Sequence, residues 1–224
     1  MIQKTQGVVL RFVRYGETSI VATIFTRSFG IQAYLVNGVR SERARTKIAL
    51  FQPLTLVDMV VYHKENASMM RIKEIRCPNP CHSLHTDIRK ESICMFLLEV
   101  LNRTLKEEAH SEDLYTFVEH AILTLDDQAS GFENFHLIFM IKYSRYLGFG
   151  LQAASDLVGM GVFRSDEEPL AKALLLAEYD SPLSLTNAQR RTFLDFLERF
   201  YRQHVENFGE LKSIGQICKR QPHQ

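Results

Sequence analysis

The chain has 224 residues, 46% of them apolar and 24% charged, with 27 Lys and Arg against 26 Asp and Glu. That length and apolar fraction are enough for a real core in one large domain or two modest ones, and they exclude a disordered or fibrous chain. No apolar run approaches the roughly eighteen residues of a membrane helix, and Met1–Thr5 lacks the charged start and apolar centre of a secretory signal. The expectation is a soluble cytoplasmic protein.

From Gln6 onward the chain is rich in Val, Ile, Thr, Phe and Tyr and is punctuated by Gly16 and Gly30, where hairpin turns fall. Strands are predicted over 7–15, 18–26, 31–39, 54–63 and 69–76. Five short antiparallel strands in about seventy residues leave too many open edges in a flat sheet, and curling into a small barrel removes most of them. The oligonucleotide-binding barrel has that architecture.

Cations and rings along these strands are the candidate functional residues. Arg11 and Arg14 interrupt an apolar stretch, so one side of the first strand meets water; Arg27 follows the second strand, and Tyr62, His63 and Lys64 end the fourth. A barrel that holds single-stranded nucleic acid needs cations to follow the phosphates and exposed rings on which bases stack. Phe12, Phe25, Phe29 and Tyr34 read as barrel filling, whereas Tyr15 and Tyr62 stand beside charges at strand ends and read as platforms.

Between the third and fourth strands, Arg40, Arg43, Arg45 and Lys47 crowd into eight residues, with Glu42 as their only acid. Their charge is part of a wider asymmetry: residues 1–76 hold 12 bases against 5 acids, and residues 77–224 hold 15 against 21. A basic first part beside an acidic second part points to a polyanion partner, and Arg and Lys in such a loop make contacts with phosphate that carry no base code. A plain solvated loop is the alternative.

After Pro78 and Pro80 the period changes. Helices are predicted over 87–107 with Asp87 as cap, 111–127 opening on Ser111, 132–147, 169–179, and 186–208 capped by Thr186 or Asn187. The 132–147 segment is apolar nearly all round and belongs at the centre of a bundle. Lys142 and Arg145, three residues apart, share a face suited to a partner's carboxylate; surface solvation explains them equally well. His136 reads as a core residue.

Cys77, Cys81, Cys94 and Cys218 are too few and too unevenly spaced for a disulfide framework. Cys77 and Cys81 with His82 and His85 in "CPNPCHSLH" lack the usual two-residue gap and a second ligand pair, so a linker is the reading and no cofactor is expected. Nothing resembles a phosphate loop, a dinucleotide fingerprint or a set of nucleophile, base and orienting group, and the adjacent acids Asp126–Asp127 and Asp166–Glu168 lie in loop-like sequence.

Three stretches, "GVVLRFVRYGETSIVATIFTRSFG", "VNGVRSERARTKIALFQPL" and "ENFHLIFMIKYSRYLGFG", occur in an order that resembles the RecO family of bacterial recombination mediators along nearly the whole chain. The resemblance implies an α+β protein with an oligonucleotide-binding barrel over 1–80 and an all-α bundle over 81–224. It also implies a non-enzymatic role: binding single- and double-stranded DNA, annealing complementary strands and assisting RecA loading in recombinational repair, near the nucleoid. RecR and the acidic C-terminal tail of single-stranded DNA-binding protein are the implied partners, the tail meeting Lys142 and Arg145 beside Phe139 or Tyr146. Many members carry a four-cysteine zinc module after the Leu-Gly-Phe helix, but residues 148–177 here contain no cysteine. A protein-interaction scaffold with a basic barrel is the competing reading.

Overall fold

The computed structural model describes residues 1–39, 48–64, 67–105, 111–151, 153, 168–215 and 217. They form two compact units, Met1–His82 with Leu105–Ile122, and Ser83–Thr104 with Leu123–Gln224. The first holds β1 (Ile2–Tyr15), β2 (Ser19–Thr26), β3 (Gly30–Val36), β4 (Leu56–Tyr62) and β5 (Met70–Arg76). The helices are α1 (Ile88–Thr104), α2 (Glu112–Asp127), α3 (Phe135–Tyr146), α4 (Glu168–Leu176) and α5 (Asn187–His204). Among the described residues, no helix is long and apolar enough to cross a membrane.

The five strands close into a barrel, as the sequence reading expects; their order is β1-β2-β3-β5-β4, and the β3–β5 pairing is parallel where the reading has every strand antiparallel. Closure needs a first strand longer than the predicted one: β1 begins at Ile2, and its first half pairs with β4 from Ile2↔Tyr62 to Val8↔Leu56, while its second half pairs with β2. A bulge between Val9 and Arg11 divides the halves, which lets Val8, Val9 and Leu10 all be buried in succession. Gly7 sits at the crossing of both ladders. A Cβ there would lie 2.5 Å from the Ile24 side chain, so only glycine fits. Gly16 (φ 57°) and Gly30 (φ 64°) make the turns that flank β2 in the left-handed region.

Val9, Ile20, Ala22, Ile24, Tyr34, Phe51, Val57, Met59, Val61 and Met70 fill the interior, and Phe12 and Phe29 pack half-buried against them. Tyr34, Phe12 and Phe29 are rings the sequence assigns to the core; Phe51 is a filling ring it does not assign, and Phe25, also assigned there, is buried but lies outside this cluster. Residues 105–122 belong to this unit rather than to the helical one. Tyr115 on α2 packs on Phe25 at 5.7 Å, and the Arg27 guanidinium lies 4.9 Å from the Tyr115 ring while donating to Glu119 Oε2 at 3.0 Å.

In the second unit α3 packs against α1, α4 and α5, and its residues Phe135 to Ile141 are all buried. Tyr201 Oη donates to the Met140 carbonyl (2.7 Å), and Tyr143 shares a 2.6 Å hydrogen bond with Thr104. The predicted caps hold: Asp87 Oδ1 accepts from the Arg89 amide at 2.8 Å, Ser111 Oγ accepts from the Leu114 amide, and Thr186 forms a capping box with Gln189. Lys90 is buried, donating to Ser83 Oγ at 2.6 Å and to the Asp126 carbonyl at 2.8 Å. Asp126 in turn accepts from the Ser83 and Leu84 amides, so this acid closes the entry of the chain into α1.

His136 is wholly buried, edge-on to Phe96, with no protein partner for Nδ1. Burial, and then the nearby Arg190 charge, lower its pKa to about 3. The unfolded chain takes up a proton near pH ~6.5 that the folded chain refuses, so this residue's stabilisation is present above that pH and is lost as pH falls toward 3. In urea titrations between pH ~7 and ~5, His136→Gln is expected to flatten the acid-side loss by about 1.4 kcal/mol per pH unit relative to the parent. Parallel curves would refute the assignment. Arg27→Ala, which removes both the ion pair and the ring contact, is expected to cost about 1–2 kcal/mol in the same assay, against a near-neutral result if the pair is merely superficial.

Candidate nucleic-acid interface

Register decides which barrel residues share a surface. Val13 is opposite Val21, Val21 opposite Leu35, Leu35 opposite Arg71, Arg71 opposite Tyr62, and Tyr62 opposite Ile2. One row therefore runs around the barrel and returns to β1 eleven residues from where it left, from Val13 to Ile2, the bulge at Leu10 accounting for one of them. Neighbours opposite one another in a ladder point to the same side. This row points outward: Val13 is 58% exposed, Ile2 53% and Tyr62 48%, and Arg71 is exposed as well. The next row, Phe12, Ala22, Tyr34 and Met70, points inward.

Around the outward row stand the cations. Arg11 faces Thr23 and Ala33, its Nε 3.5 Å from Thr23 Oγ1; Arg14 is exposed toward the end of β1, and Lys64 is exposed just past β4. Tyr15, 54% exposed, pairs with Ser19, whose hydroxyl donates to Asn37 Oδ1 at 3.1 Å. The result is an apolar floor of Val13, Val21 and Leu35 on β1–β3, rings at two margins, and guanidiniums among them. Such a surface stacks unpaired bases and neutralises phosphates without reading base edges.

A second surface on the same barrel has a different character. A cavity of about 750 Å3 is lined by Lys4, Gln6, Arg27, Asp58, Glu74 and Arg76 among others. Arg76 donates through Nε and Nη2 to Asp58 Oδ2 (3.2 and 2.9 Å), and Gln6 donates to Asp58 Oδ1 at 3.4 Å. Of the three bases here, Arg76 is held by Asp58 and Arg27 by Glu119, and Glu74 adds a further negative charge, so most of the positive charge is already paired and no track for a polyanion results.

Of the residues predicted to contact DNA, Arg11 and Tyr62 point outward and Lys64 is exposed just past β4, whereas Arg14 is exposed at the end of β1 but opposite the core residue Ile20, so it stands at the rim on the inward side. Arg27 is not among them: it lies in the balanced groove, held by Glu119 and stacked on Tyr115, because a guanidinium half-removed from water needs a carboxylate. Arg40, Arg43, Arg45 and Lys47 lie outside the described residues. The sequence reading missed Arg71 and the floor of Val13, Val21 and Leu35. The two-residue alternation of β5 was the available signal for Arg71; only the register unites the floor.

In the helical unit Phe139 is fully buried, stacked on Tyr143 at 5.3 Å, so the expected partner contact is instead part of the bundle core. Lys142 Nζ donates to Glu178, two residues past the end of α4, at 2.6 Å, and Arg145 to the Leu175 carbonyl in the last turn of α4 at 3.0 Å. Tyr146 and Leu176 present exposed apolar surface. Cys77 and Cys81 are half-buried and form no disulfide, burial pushes the Cys77 thiol up, and no group of three or more metal-binding side chains occurs among the described residues.

Comparison with known proteins gives the family. The family model for the N-terminal part of recombination protein O matches residues 1–80, and that for its C-terminal part matches residues 85–161. The chain is 33% identical over 233 residues to the DNA repair protein RecO of Phocaeicola vulgatus, covering 96% of this chain and 97% of that one. It is 32% identical over 234 residues to the DNA repair protein RecO of Bacteroides fragilis, with 96% and 97% covered. It is 33% identical over 227 residues to that of Flavobacterium johnsoniae, with 94% and 95% covered. With a closed five-stranded barrel, a helical second unit and relatives matched nearly end to end, the chain belongs to the RecO family of DNA repair proteins.

Proposed function

We propose that the chain is a non-enzymatic recombination mediator that binds single- and double-stranded DNA, anneals complementary strands and assists RecA loading. The outward row from Val13 through Arg71 and Tyr62 to Ile2 carries this reading. Apolar and aromatic surface exposed at Val13, Tyr15 and Tyr62, continued by half-buried Val21 and Leu35 and bordered by arginines, is costly to leave in water, and unpaired bases are flat, apolar on their faces and tied to phosphate, so they match it. A single strand lies across β1–β3 with bases on the floor and on Tyr15 and Tyr62, and its phosphates meet Arg11, Arg14, Arg71 and Lys64. The loop cations Arg40, Arg43, Arg45 and Lys47 add sequence-independent attraction for any strand, duplex included.

RecR and the acidic tail of single-stranded DNA-binding protein are the proposed protein partners. Tail docking near Tyr146 is supported by the exposed apolar surface of Tyr146 and Leu176 beside Lys142 and Arg145. The tail's carboxylates would there replace Glu178 at Lys142.

Titration of labelled oligonucleotides across a range of salt tests the DNA reading. Tyr62→Ala is expected to weaken single-strand binding by roughly tenfold and leave the salt slope unchanged, since it removes stacking and no charge. Alanine at Arg40, Arg43, Arg45 and Lys47 together is expected to flatten the slope by about three on single strands and to slow annealing, since each neutralised phosphate contributes roughly 0.7. A quadruple variant that binds and anneals like the parent, or a Tyr62→Ala variant of unaltered affinity, would contradict the proposal.

A further inference from the structure

Beyond α5 the chain turns back: Val205 is extended, and Asn207 (φ 58°) and Gly209 (φ 65°) stand in the left-handed region. Residues 207–213 then lie against α1 and α5, with Phe208 on the Tyr201 ring at 5.3 Å and Leu211 and Ser213 buried. The bonds that hold them there end on side chains. Glu99 of α1 accepts from the Lys212 amide at 3.0 Å through one oxygen, and through the other from the Ser213 amide at 2.9 Å and the Ser213 hydroxyl. Arg103, paired with Glu99, donates to the Phe208 carbonyl, and Glu198 of α5 accepts from the Leu211 amide. Among the described residues, the backbone-to-backbone bonds of this stretch are Phe208 amide to Val205 carbonyl and Ile217 amide to Ser213 carbonyl. Neither reaches α1 or α5.

Beside these anchors the contact is hollow. A cavity of about 340 Å3 is lined by Met95, Leu98 and Asn102 of α1 together with Lys212 and Ser213. Atoms that face a void have no partners on that side, so residues 207–213 lose less by leaving than α1, α3 and α5 lose by separating. Three donors, moreover, share the one Glu99 carboxylate, and losing it leaves all three without an acceptor. Charge sets the balance. The cation paired with Glu99 is Arg103, which also holds the Phe208 carbonyl, so a negative charge at Ser213 would stand against Glu99 with the balancing guanidinium already engaged.

We propose that residues 207–213 form a strap that detaches from α1 and α5 as a unit while the helices stay folded, with Glu99 as its latch and negative charge at Ser213 as the event that opens it. Opening uncovers Phe208, Leu211 and the side of α1 around Met95 and Leu98. The strap and its seat lie wholly in the helical unit, so this inference stands or falls independently of the DNA reading.

The test is amide hydrogen exchange of the full chain, read by mass spectrometry on peptides covering 207–213 and α3. In the parent, 207–213 is expected to exchange at least about tenfold faster than α3. Glu99→Gln, which replaces one acceptor oxygen with a donor, and Ser213→Asp are each expected to speed 207–213 by about a further tenfold and to leave α3 at the parent's rate. Ser213→Ala removes the hydroxyl but adds no charge, and is expected to speed it by about threefold at most. Equal protection of 207–213 and α3 in the parent, acceleration of α3 in step with 207–213, or a Ser213→Asp effect no larger than that of Ser213→Ala would overturn the proposal. Should Glu99→Gln not fold, the parent and the two Ser213 variants decide.

Discussion

Closure of the barrel through one over-long strand is the constraint from which the first unit follows. β1 must serve β4 with its first half and β2 with its second, and the same chain cannot do so without a point where the ladders cross and a point where the strand shifts. Gly7 supplies the first and the bulge at Leu10 the second. Once these are set, the register carries Val13, Val21, Leu35, Arg71, Tyr62 and Ile2 onto one outward row, and the aromatic core onto the row beside it. The barrel thereby keeps two unlike outer surfaces: one apolar and cationic, the other an internally neutralised groove around Asp58. A polyanion is drawn to the first and has no electrostatic reason to prefer the second.

In the helical unit, polar side chains do the fastening where the chain changes direction. Lys90, Ser83 and Asp126 tie the start of α1 to the end of α2, satisfying buried groups that would otherwise be costly. At the other end of α1, Glu99 accepts from the Lys212 amide (3.0 Å), the Ser213 amide (2.9 Å) and the Ser213 hydroxyl, and pairs with Arg103. Burial alone would push the Glu99 carboxyl up, but the Ser213 and Lys212 hydrogen bonds and the Arg103 charge hold it below its ordinary range. His136 is the exception, a buried imidazole kept neutral with one nitrogen unpartnered.

Much of this was legible in the residues themselves. Gly16 and Gly30 mark both turns, the branched and aromatic runs between them are strands, and the three- and four-residue spacing after Pro80 gives the helices, with the caps of α1, α2 and α5. Local chemistry could not reveal the first half of β1, whose "IQKTQ" is polar because Lys4 and Gln6 face the groove. Nor could it assign Arg27 or Phe139. Both roles depend on residues far along the chain, Glu119 and Tyr115 for the one and the bundle around α3 for the other. The DNA-facing floor is a property of register, which one strand alone does not contain. Lys142 and Arg145 were placed together correctly on α3, but their internal acceptors come from α4 and the residues after it.

The central claim, that unpaired bases lie on the outward row, is tested most directly by photocrosslinking an iodouracil-substituted single strand to the full chain and mapping the adducts by mass spectrometry. Adducts on Tyr62 and Tyr15 are expected, suppressed by unlabelled single strand and persisting at moderate salt. Adducts confined to the groove of Lys4 and Arg76, or to the helical unit, would contradict the account.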